Sequence, residues 1–304
     1  MGTFYMMVGL PASGKSTKAK EIASNIGAIL VESDNYRKEL YGNESIQGDN
    51  HKLFQIIQDD VIRHLKNGHS VIMDATNTSR KRRVSFLQKI NKLDVGKVCV
   101  FMATSIPLCM EYNNDRDRKV PVDVIMRYWK TFNIPLYTEG WDFIDVYLNY
   151  DLRRYSIDDF IDRTISFDQR NPYHSRTLGE HSLAVSRYMT EVNKVDAYIA
   201  TAALLHDNGK EYTMRFKNNK GEKTEIAHYY SHENVGAYES LFYLDVNHPT
   251  LPYREMLFCA GLIEYHMRPY NAQSDKAKKK LLDTVGEDMN YFLWLLHEAD
   301  KESH

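Results

Sequence analysis

The rhythm of apolar and polar positions changes about halfway along the chain. In the first half, short apolar runs alternate with helically spaced segments. Thr3–Val8, Ile29–Val31, Ser70–Met73, Lys97–Met102 and Phe143–Tyr147 read as strands, and Ser16–Ile26, Asn50–Leu65, Arg82–Ile90 and Val122–Phe132 as helices. Such alternation predicts a parallel α/β sheet with flanking helices. Beyond Asp151 the β-rich runs stop. Leu183–Val192, Asp196–Leu205, Glu233–Tyr243, Tyr253–Glu264 and Met289–Ala299 carry apolar residues three and four apart, which predicts an all-α second half. The junction is expected between Asp151 and Phe167, giving domains 1–155 and 156–304.

A chain of 304 residues is long enough for two cores, and 43% hydrophobic with 26% charged residues is ordinary globular composition. No run of 18 apolar residues occurs, which excludes a membrane-spanning helix. Cys99, Cys109 and Cys259 stand too far apart for a disulfide framework or a thiolate metal site, and point to a reducing, cytoplasmic setting. Charge divides unevenly. Residues 1–155 hold 22 Lys and Arg against 18 Asp and Glu, the remainder 17 against 23 together with nine of the twelve histidines. An acidic, histidine-rich half suits bound cations; two ordinary solvated surfaces would show the same charge.

Gly9-Leu10-Pro11-Ala12-Ser13-Gly14-Lys15-Ser16 fits GxxxxGK[ST] between an expected strand and an expected helix. Glycines let backbone N–H groups curl around phosphates, and the helix N-terminus adds positive potential. In that setting Lys15 reaches the β/γ-phosphates and Ser16 offers its hydroxyl to Mg²⁺. Nucleoside triphosphate binding follows; the acceptor does not. Asp34 and Arg37 lie one helical turn apart, so a carboxylate able to accept a hydroxyl proton and a guanidinium able to hold a phosphate share a face. The bland reading is a capping Asp and a surface Arg. Asp74 ends an expected strand, where a carboxylate faces the ligand crevice of an open sheet and could orient a metal's water or the substrate; a capping Asp is the bland reading. The run Arg80-Lys81-Arg82-Arg83 reads as a solvated helix start or a guide for a polyanion. Arg116 and Arg118 precede Val120-Pro121, in a segment able to cover a γ-phosphate.

Taken in order, the P-loop, Asp34-Asn35-Tyr36-Arg37, Asp74-Ala75-Thr76-Asn77 with Arg82-Arg83, and Arg116 through Val120-Pro121 resemble the 5′-hydroxyl polynucleotide kinase domain of bacteriophage and bacterial end-healing enzymes. The likeness spans residues 1–150, with Pro135 and Glu139-Gly140-Trp141-Asp142 resembling its closing segment. It implies that Asp34 is the general base, that Arg37 contacts the substrate phosphate and that Arg116 contacts the γ-phosphate. Gly9, Ser13, Gly14, Lys15, Ser16, Thr17, Asp74 and Arg116 would then bind ATP and Mg²⁺.

In the second half His181, His206-Asp207 and Asp300 occur in order on expected helices. Histidine and carboxylate ligands on separate helices are how bundles build metal sites, and a mixed N/O set suits Mn²⁺, Co²⁺, Ni²⁺, Fe²⁺ or Zn²⁺. Leu204 to Lys210, His232-Glu233 with Gly236-Ala237, and His266 resemble the HD phosphohydrolase superfamily; Phe167 to His174 resembles HD domains attached to CCA-adding tRNA nucleotidyltransferases. The resemblance implies that His181, His206, Asp207 and Asp300 hold one metal and that His232 and His266 hold a second, with Asp207 bridging. His228 rivals His232, His174 reads as structural or substrate-contacting, and Lys210 would stabilise departing phosphate charge.

A 5′-kinase joined to such a phosphohydrolase resembles a nucleic-acid end-healing enzyme. It would phosphorylate 5′-hydroxyl ends and clear 2′,3′-cyclic or 2′/3′-phosphates, on RNA in preference to DNA, with a separate ligase acting downstream. Two alternatives remain: a nucleoside or nucleotide kinase fused to a nucleotidase, and an ATP-dependent switch gating the HD half.

Overall fold

The structure is a computed structural model, and it describes residues 2–43, 48–172 and 174–303. Tyr173, in the Phe167–His174 segment, lies outside the described residues. The chain divides into two compact units: Met1–Tyr128 with Pro135–Asn149, and Trp129–Ile134 with Tyr150–His304.

In the first unit the elements run β1 (Thr3–Gly9), α1 (Lys15–Ile26), β2 (Ile29–Glu32), α2 (Ser33–Tyr41), α3 (Asn50–Lys66), β3 (Val71–Asp74), α4 (Arg80–Ile90), β4 (Gly96–Thr104), α5 (Ile106–Asn114), α6 (Val122–Lys130) and β5 (Phe143–Asn149). The five strands pair in parallel in the order β2-β3-β1-β4-β5, so the expected parallel α/β sheet is present. Every residue of β3 is buried, which explains its unbroken apolar run: a parallel strand covered on both faces has no solvent side to alternate with. Register pairs Glu32 with Asp74, and β1 carries Gly9 to the same strand-end edge. The crevice of the sheet opens there. The helix expected over Val122–Phe132 stops at Lys130, and the residue before Pro135 is biased towards extended backbone.

The second unit continues with α7 (Ile157–Thr164), α8 (Leu178–Glu191), α9 (Ala197–Leu204), α10 (Lys210–Thr213), β6 (Arg215–Lys217), β7 (Lys223–His228), α11 (His232–Asn247), α12 (Tyr253–Tyr265), α13 (Arg268–Asn271), α14 (Asp275–Val285) and α15 (Glu287–Glu302). The expected helical second domain is present, and among its described residues it carries one addition, an antiparallel hairpin of β6 and β7. Helix α11 is buried on every side from Val235 to Leu244, so that stretch has no solvent face to show as a polar stripe. Tyr155 packs on Phe242 and Tyr243, and Tyr150 on Phe242, which ties the segment from Tyr150 onward to α11. Phe132 stacks edge-on against Tyr238, and the Glu264 carboxylate accepts from Ile134 N at 2.6 Å and Asn133 Nδ2 at 2.9 Å. Those bonds satisfy a buried charge and hold Trp129–Ile134 in this unit. The lysine-rich run Lys276–Lys280 is a helix face: Ser274 caps α14, and Leu281 and Val285 turn inward.

Glu239 on α11 is buried and accepts from Tyr155 Oη at 3.1 Å. Burial pushes its carboxyl up to about 7 from 4.5, the Tyr155 hydrogen bond pulling the other way. The unfolded chain releases this proton near 4.5 and the folded chain holds it to about 7, so stability falls as pH rises through that window. Glu239→Gln is expected to remove this slope and to be about 3 kcal/mol more stable than wild type at pH 8. Denaturant unfolding at pH 5 and 8 reads it, and equal slopes in both proteins would mean that Glu239 is ionised throughout.

Candidate active sites

In the first unit the loop after β1 turns sharply into α1. Gly14, at φ +88°, occupies a left-handed position that a side chain would strain, and it points the first N–H groups of α1 towards the loop. Thr104 Oγ1 donates to Ser13 O at 3.0 Å and pins the loop to β4. Lys15 is buried, its amine folded back on Leu10 O and 3.3 Å from Ser13 Oγ. Burial pushes that amine down to about 8 against the opposing pull of Asp74. An amine sequestered in this way regains its charge stabilisation when a phosphate enters the loop.

Asp74 is buried at the end of β3, and burial raises its carboxyl while a hydrogen bond from Ser16 and the charge of Lys15 act against the rise. Ser16 and Thr17 are exposed at the start of α1. A hydroxyl and a carboxylate in hydrogen-bond contact beside a phosphate loop are the donor set that Mg²⁺ takes, so Ser16 and Asp74 fit that ion.

Asp34 is not an N-cap. Glu32 occupies the cap of α2 without a side-chain cap bond, and Asp34, half-buried in the first turn, lies 3.3 Å from Arg118 Nη1. Arg37 Nη2 donates to Asn50 Oδ1 at 2.9 Å. It is therefore Arg118 that meets Asp34; Arg116 is exposed, yet near enough to Lys15 to depress its pKa. Asn113, which sequence reasoning passed over, shapes this segment by accepting from Val120 N at 2.8 Å and donating to Val120 O at 2.9 Å.

The basic run at α4 does not act as a unit. Arg83 is buried in a bidentate pair with Glu139, at 2.8 and 2.6 Å, and also donates to Asn77 O at 3.0 Å. Trp141 Nε1 donates to the same carboxylate at 3.1 Å. Arg83 thus ties the sheet edge to the closing segment and cannot guide a polyanion; the exposed members are Lys81 and Arg82.

In the second unit six side chains converge. A capping box, Thr177 with Glu180, fixes the start of α8 and with it His181 in the first turn. His206 and Asp207 lie in the turn after α9, where the sequence suggested helix, while His232 opens α11, His266 follows α12 and Asp300 sits near the end of α15. Two glycines let this turn approach α11: a Cβ on Gly209 would fall 2.0 Å from His232 O, and one on Gly236 would fall 2.4 Å from Asn208 Oδ1.

Asp207 stands between two groups. Its Oδ2 lies 3.4 Å from His206 Nε2 and 3.8 Å from His181 Nε2, its Oδ1 3.3 Å from His232 Nε2 and 3.6 Å from His266 Nε2. Asp300 Oδ1 joins the first group, 3.0 Å from His181 Nε2 and 3.7 Å from His206 Nε2, and Tyr270 Oη donates to its other oxygen at 2.7 Å. Within each triad, His181–His206–Asp207 and Asp207–His232–His266, the ligand atoms lie within 4.8 Å of one another. His228 lies outside the cluster, on β7, stacked on Tyr230.

The ring orientations test whether cations fit. His206, His232 and His266 place Nδ1 2.8, 2.8 and 2.7 Å from backbone carbonyls, and His181 Nδ1 lies 3.3 Å from Ser303 O. A carbonyl accepts only, so each Nδ1 carries the proton and each Nε2 lone pair faces the centre. Two such pairs oppose each other, His181 with His206 at 3.3 Å and His232 with His266 at 3.2 Å. Lone pairs repel at that distance unless a positive charge lies between them. The local field favours positive charge at this centre: burial would lower the His206 pKa, yet Asp207 and Asp300 raise it, so a proton on Nε2 and a cation bound there compete for the same place, and Asp207 stays well below the carboxylate range despite its burial. The nitrogen and oxygen set suits divalent transition metals. Lys210 Nζ lies 2.6 Å from Asp207 Oδ2, donates to Gln169 Oε1 at 2.8 Å, and sits 3.4 Å from His174 Nε2.

Comparison with known proteins agrees with both halves of this geometry. Residues 4–135 match a family model described as AAA domain, and residues 178–301 one described as HD domain. A curated L-seryl-tRNA(Sec) kinase of Methanococcus maripaludis is 28% identical over 152 residues, 46% of this chain and 56% of that protein. The match thus spans little more than half of the relative's length. Among solved structures, a sugar kinase from Janibacter sp. is similar at 15% identity and a TM-score of 0.39, covering 49% of this chain and 86% of its own. A chain of a Pnkp1/Rnl/Hen1 RNA repair complex is similar at 21% identity and a TM-score of 0.36, covering 42% of each chain. The chain thus joins a P-loop domain of parallel α/β fold, which matches the AAA model, to a helical domain that matches the HD model and carries a His/Asp cluster able to hold metal ions. Among the described residues, no helix is long and apolar enough to cross a membrane.

Proposed function

We propose that this chain heals nucleic-acid ends in the cytoplasm, RNA in preference to DNA, as an ATP-dependent 5′-hydroxyl kinase joined to a 2′,3′-cyclic phosphodiesterase and 2′/3′-phosphatase. The observation that carries the reading is the pairing, in one chain, of a site built to add a phosphoryl group with one built to remove it. A cleaved RNA end needs both operations before a separate ligase can act. The 2′-hydroxyl that cyclic phosphates require favours RNA.

At the kinase site Asp34 takes the proton of the acceptor hydroxyl, Arg37 holds the phosphate beside it, and Lys15 and Arg116 balance charge on the transferring group. Gly9, Ser13, Gly14 and Thr17 complete the ATP cradle, with Ser16 and Asp74 holding Mg²⁺. Arg118 Nη1 lies 3.3 Å from Asp34 Oδ2, so the acceptor hydroxyl competes with that guanidinium for the carboxylate. Asp34→Asn is expected to cut turnover about 10²–10⁴-fold with little change in ATP affinity, because it removes a base and not a phosphate contact. Transfer of labelled γ-phosphate to a 5′-hydroxyl oligonucleotide measures this; retained turnover would reduce Asp34 to a surface partner of Arg118.

At the second site, divalent cations held by His181, His206, Asp207 and Asp300 and by His232, His266 and Asp207 would lower the pKa of water and offset phosphate charge. Lys210 keeps Asp207 ionised and lies ready to stabilise the departing phosphate. A second reading rests on the 28% likeness to an L-seryl-tRNA(Sec) kinase: the acceptor hydroxyl would be the seryl side chain of a charged tRNA. Offering seryl-tRNA and a 5′-hydroxyl oligonucleotide side by side separates the two.

A further inference from the structure

The β6–β7 hairpin ligates nothing, yet it spans the chain between Lys210 and His232. It is exposed along most of its length, and it is basic within an acidic half: Arg215, Lys217, Lys220 and Lys223 stand against Glu222 and Glu225. Lys217 lies directly opposite Lys223 in the ladder. Like charges facing across two strands destabilise a hairpin, a cost that a bound polyanion relieves. Arg215 is paired with His228, and these residues build a layered surface: the Arg215 guanidinium lies 4.3 Å over the Tyr230 ring, which stacks on His228 at 5.4 Å and 12°. On the same hairpin Phe216 is exposed, with the Arg170 guanidinium 5.9 Å over its ring.

Cations interleaved with flat, accessible rings fit a flexible strand of phosphates and bases, each base having a face to stack. The surface is also continuous with the metal centre. Tyr229 Oη donates to Gln169 O, the Gln169 side chain accepts from Lys210 Nζ, and Tyr229 O accepts from His232 Nδ1 at 2.8 Å. A chain laid across Tyr230 is therefore one residue from the backbone that orients a ligand imidazole.

We propose that the β6–β7 hairpin is a docking platform for single-stranded RNA that delivers the 3′ end to the His/Asp centre. Lys217 and Lys223 hold phosphates, while a base extends the Arg215–Tyr230–His228 stack from its outer end. The inference rests on the end-healing reading for what the RNA is brought to do, but not for the binding itself.

The test uses the full chain and a fluorescent single-stranded RNA of about 12 nucleotides ending in a 2′,3′-cyclic phosphate, a length suited to such platforms. Lys217→Glu combined with Lys223→Glu should weaken binding about 10–100-fold and flatten the dependence of log affinity on log salt by about 1–2, two phosphate contacts being lost. Tyr230→Ala should weaken it about 10-fold through lost stacking. Melting temperature and bound-metal content report that the variants remain folded. RNA affinity unchanged in the double variant, or polyglutamate of similar charge bound as tightly as RNA by wild type, overturns the proposal. The two readings fail differently. Binding lost in the variant while wild type leaves the cyclic ends intact upholds the platform and removes the end-healing role. Ends processed with the same KM by both proteins does the reverse.

Discussion

Asp207→Ala is expected to remove bound divalent metal and all phosphoester hydrolysis from the helical unit, while γ-phosphate transfer continues. The two carboxylate oxygens face different histidine pairs, Oδ2 towards His181 and His206 and Oδ1 towards His232 and His266. Alanine therefore removes a ligand from both triads at once, together with the negative charge that offsets a dication on either side. It also leaves the buried Lys210 amine without the carboxylate 2.6 Å away, an uncompensated charge that opposes cation binding further. His266→Ala provides the graded contrast: it touches only the second triad, so about one metal equivalent should remain while most turnover is lost. Mass-spectrometric metal content, measured with phosphate release from RNA 2′,3′-cyclic and 3′-phosphate ends, reads both variants. Full metal content in a folded Asp207→Ala protein would show that the carboxylate does not bridge.

What the chain disclosed in advance follows from how each feature is encoded. The strands of the first unit were legible because burial on both faces leaves runs such as Val71-Ile72-Met73, and the phosphate loop because its backbone path demands glycine at fixed positions. The hairpin was not legible from periodicity. Its strands bury little more than Ala227, so no alternation records them; the signal lay in Asn218 and Gly221, where Asn218 Oδ1 accepts from Lys220 N and Glu222 N and Gly221 takes φ +85°. Arg83 misled for a related reason. Its charge places it in a basic run, but its partner Glu139 is distant in sequence, and only the fold reveals that the pair is buried. The choice between His228 and His232 likewise depended on helix geometry: His232 opens α11 and turns its ring to Asp207, whereas His228 ends a strand.

Lys15→Ala is expected to abolish phosphoryl transfer, at least about 10³-fold, and to leave metal-dependent hydrolysis in place. The amine is buried among loop atoms, where Leu10 O and Ser13 Oγ are its hydrogen-bond partners. It is thus held inside the loop, where the motif presents a positive charge to the β/γ-phosphates. Burial already depresses its pKa to about 8, so the folded protein bears a cost for placing it there, and a phosphate returns the missing counter-charge. Alanine removes that cost together with the charge. The variant should fold at least as stably as wild type, which separates lost catalysis from lost structure. Asp34, Asp74 and Arg116 remain, but none can replace a cation inside the loop: two are carboxylates, and Arg116 lies on the exposed segment after α5. Assays of γ-phosphate transfer and of RNA-end hydrolysis on one preparation of the variant decide the matter. Loss of both activities in a folded protein would mean that the two chemistries depend on a single nucleotide-bound state, as the switch alternative requires.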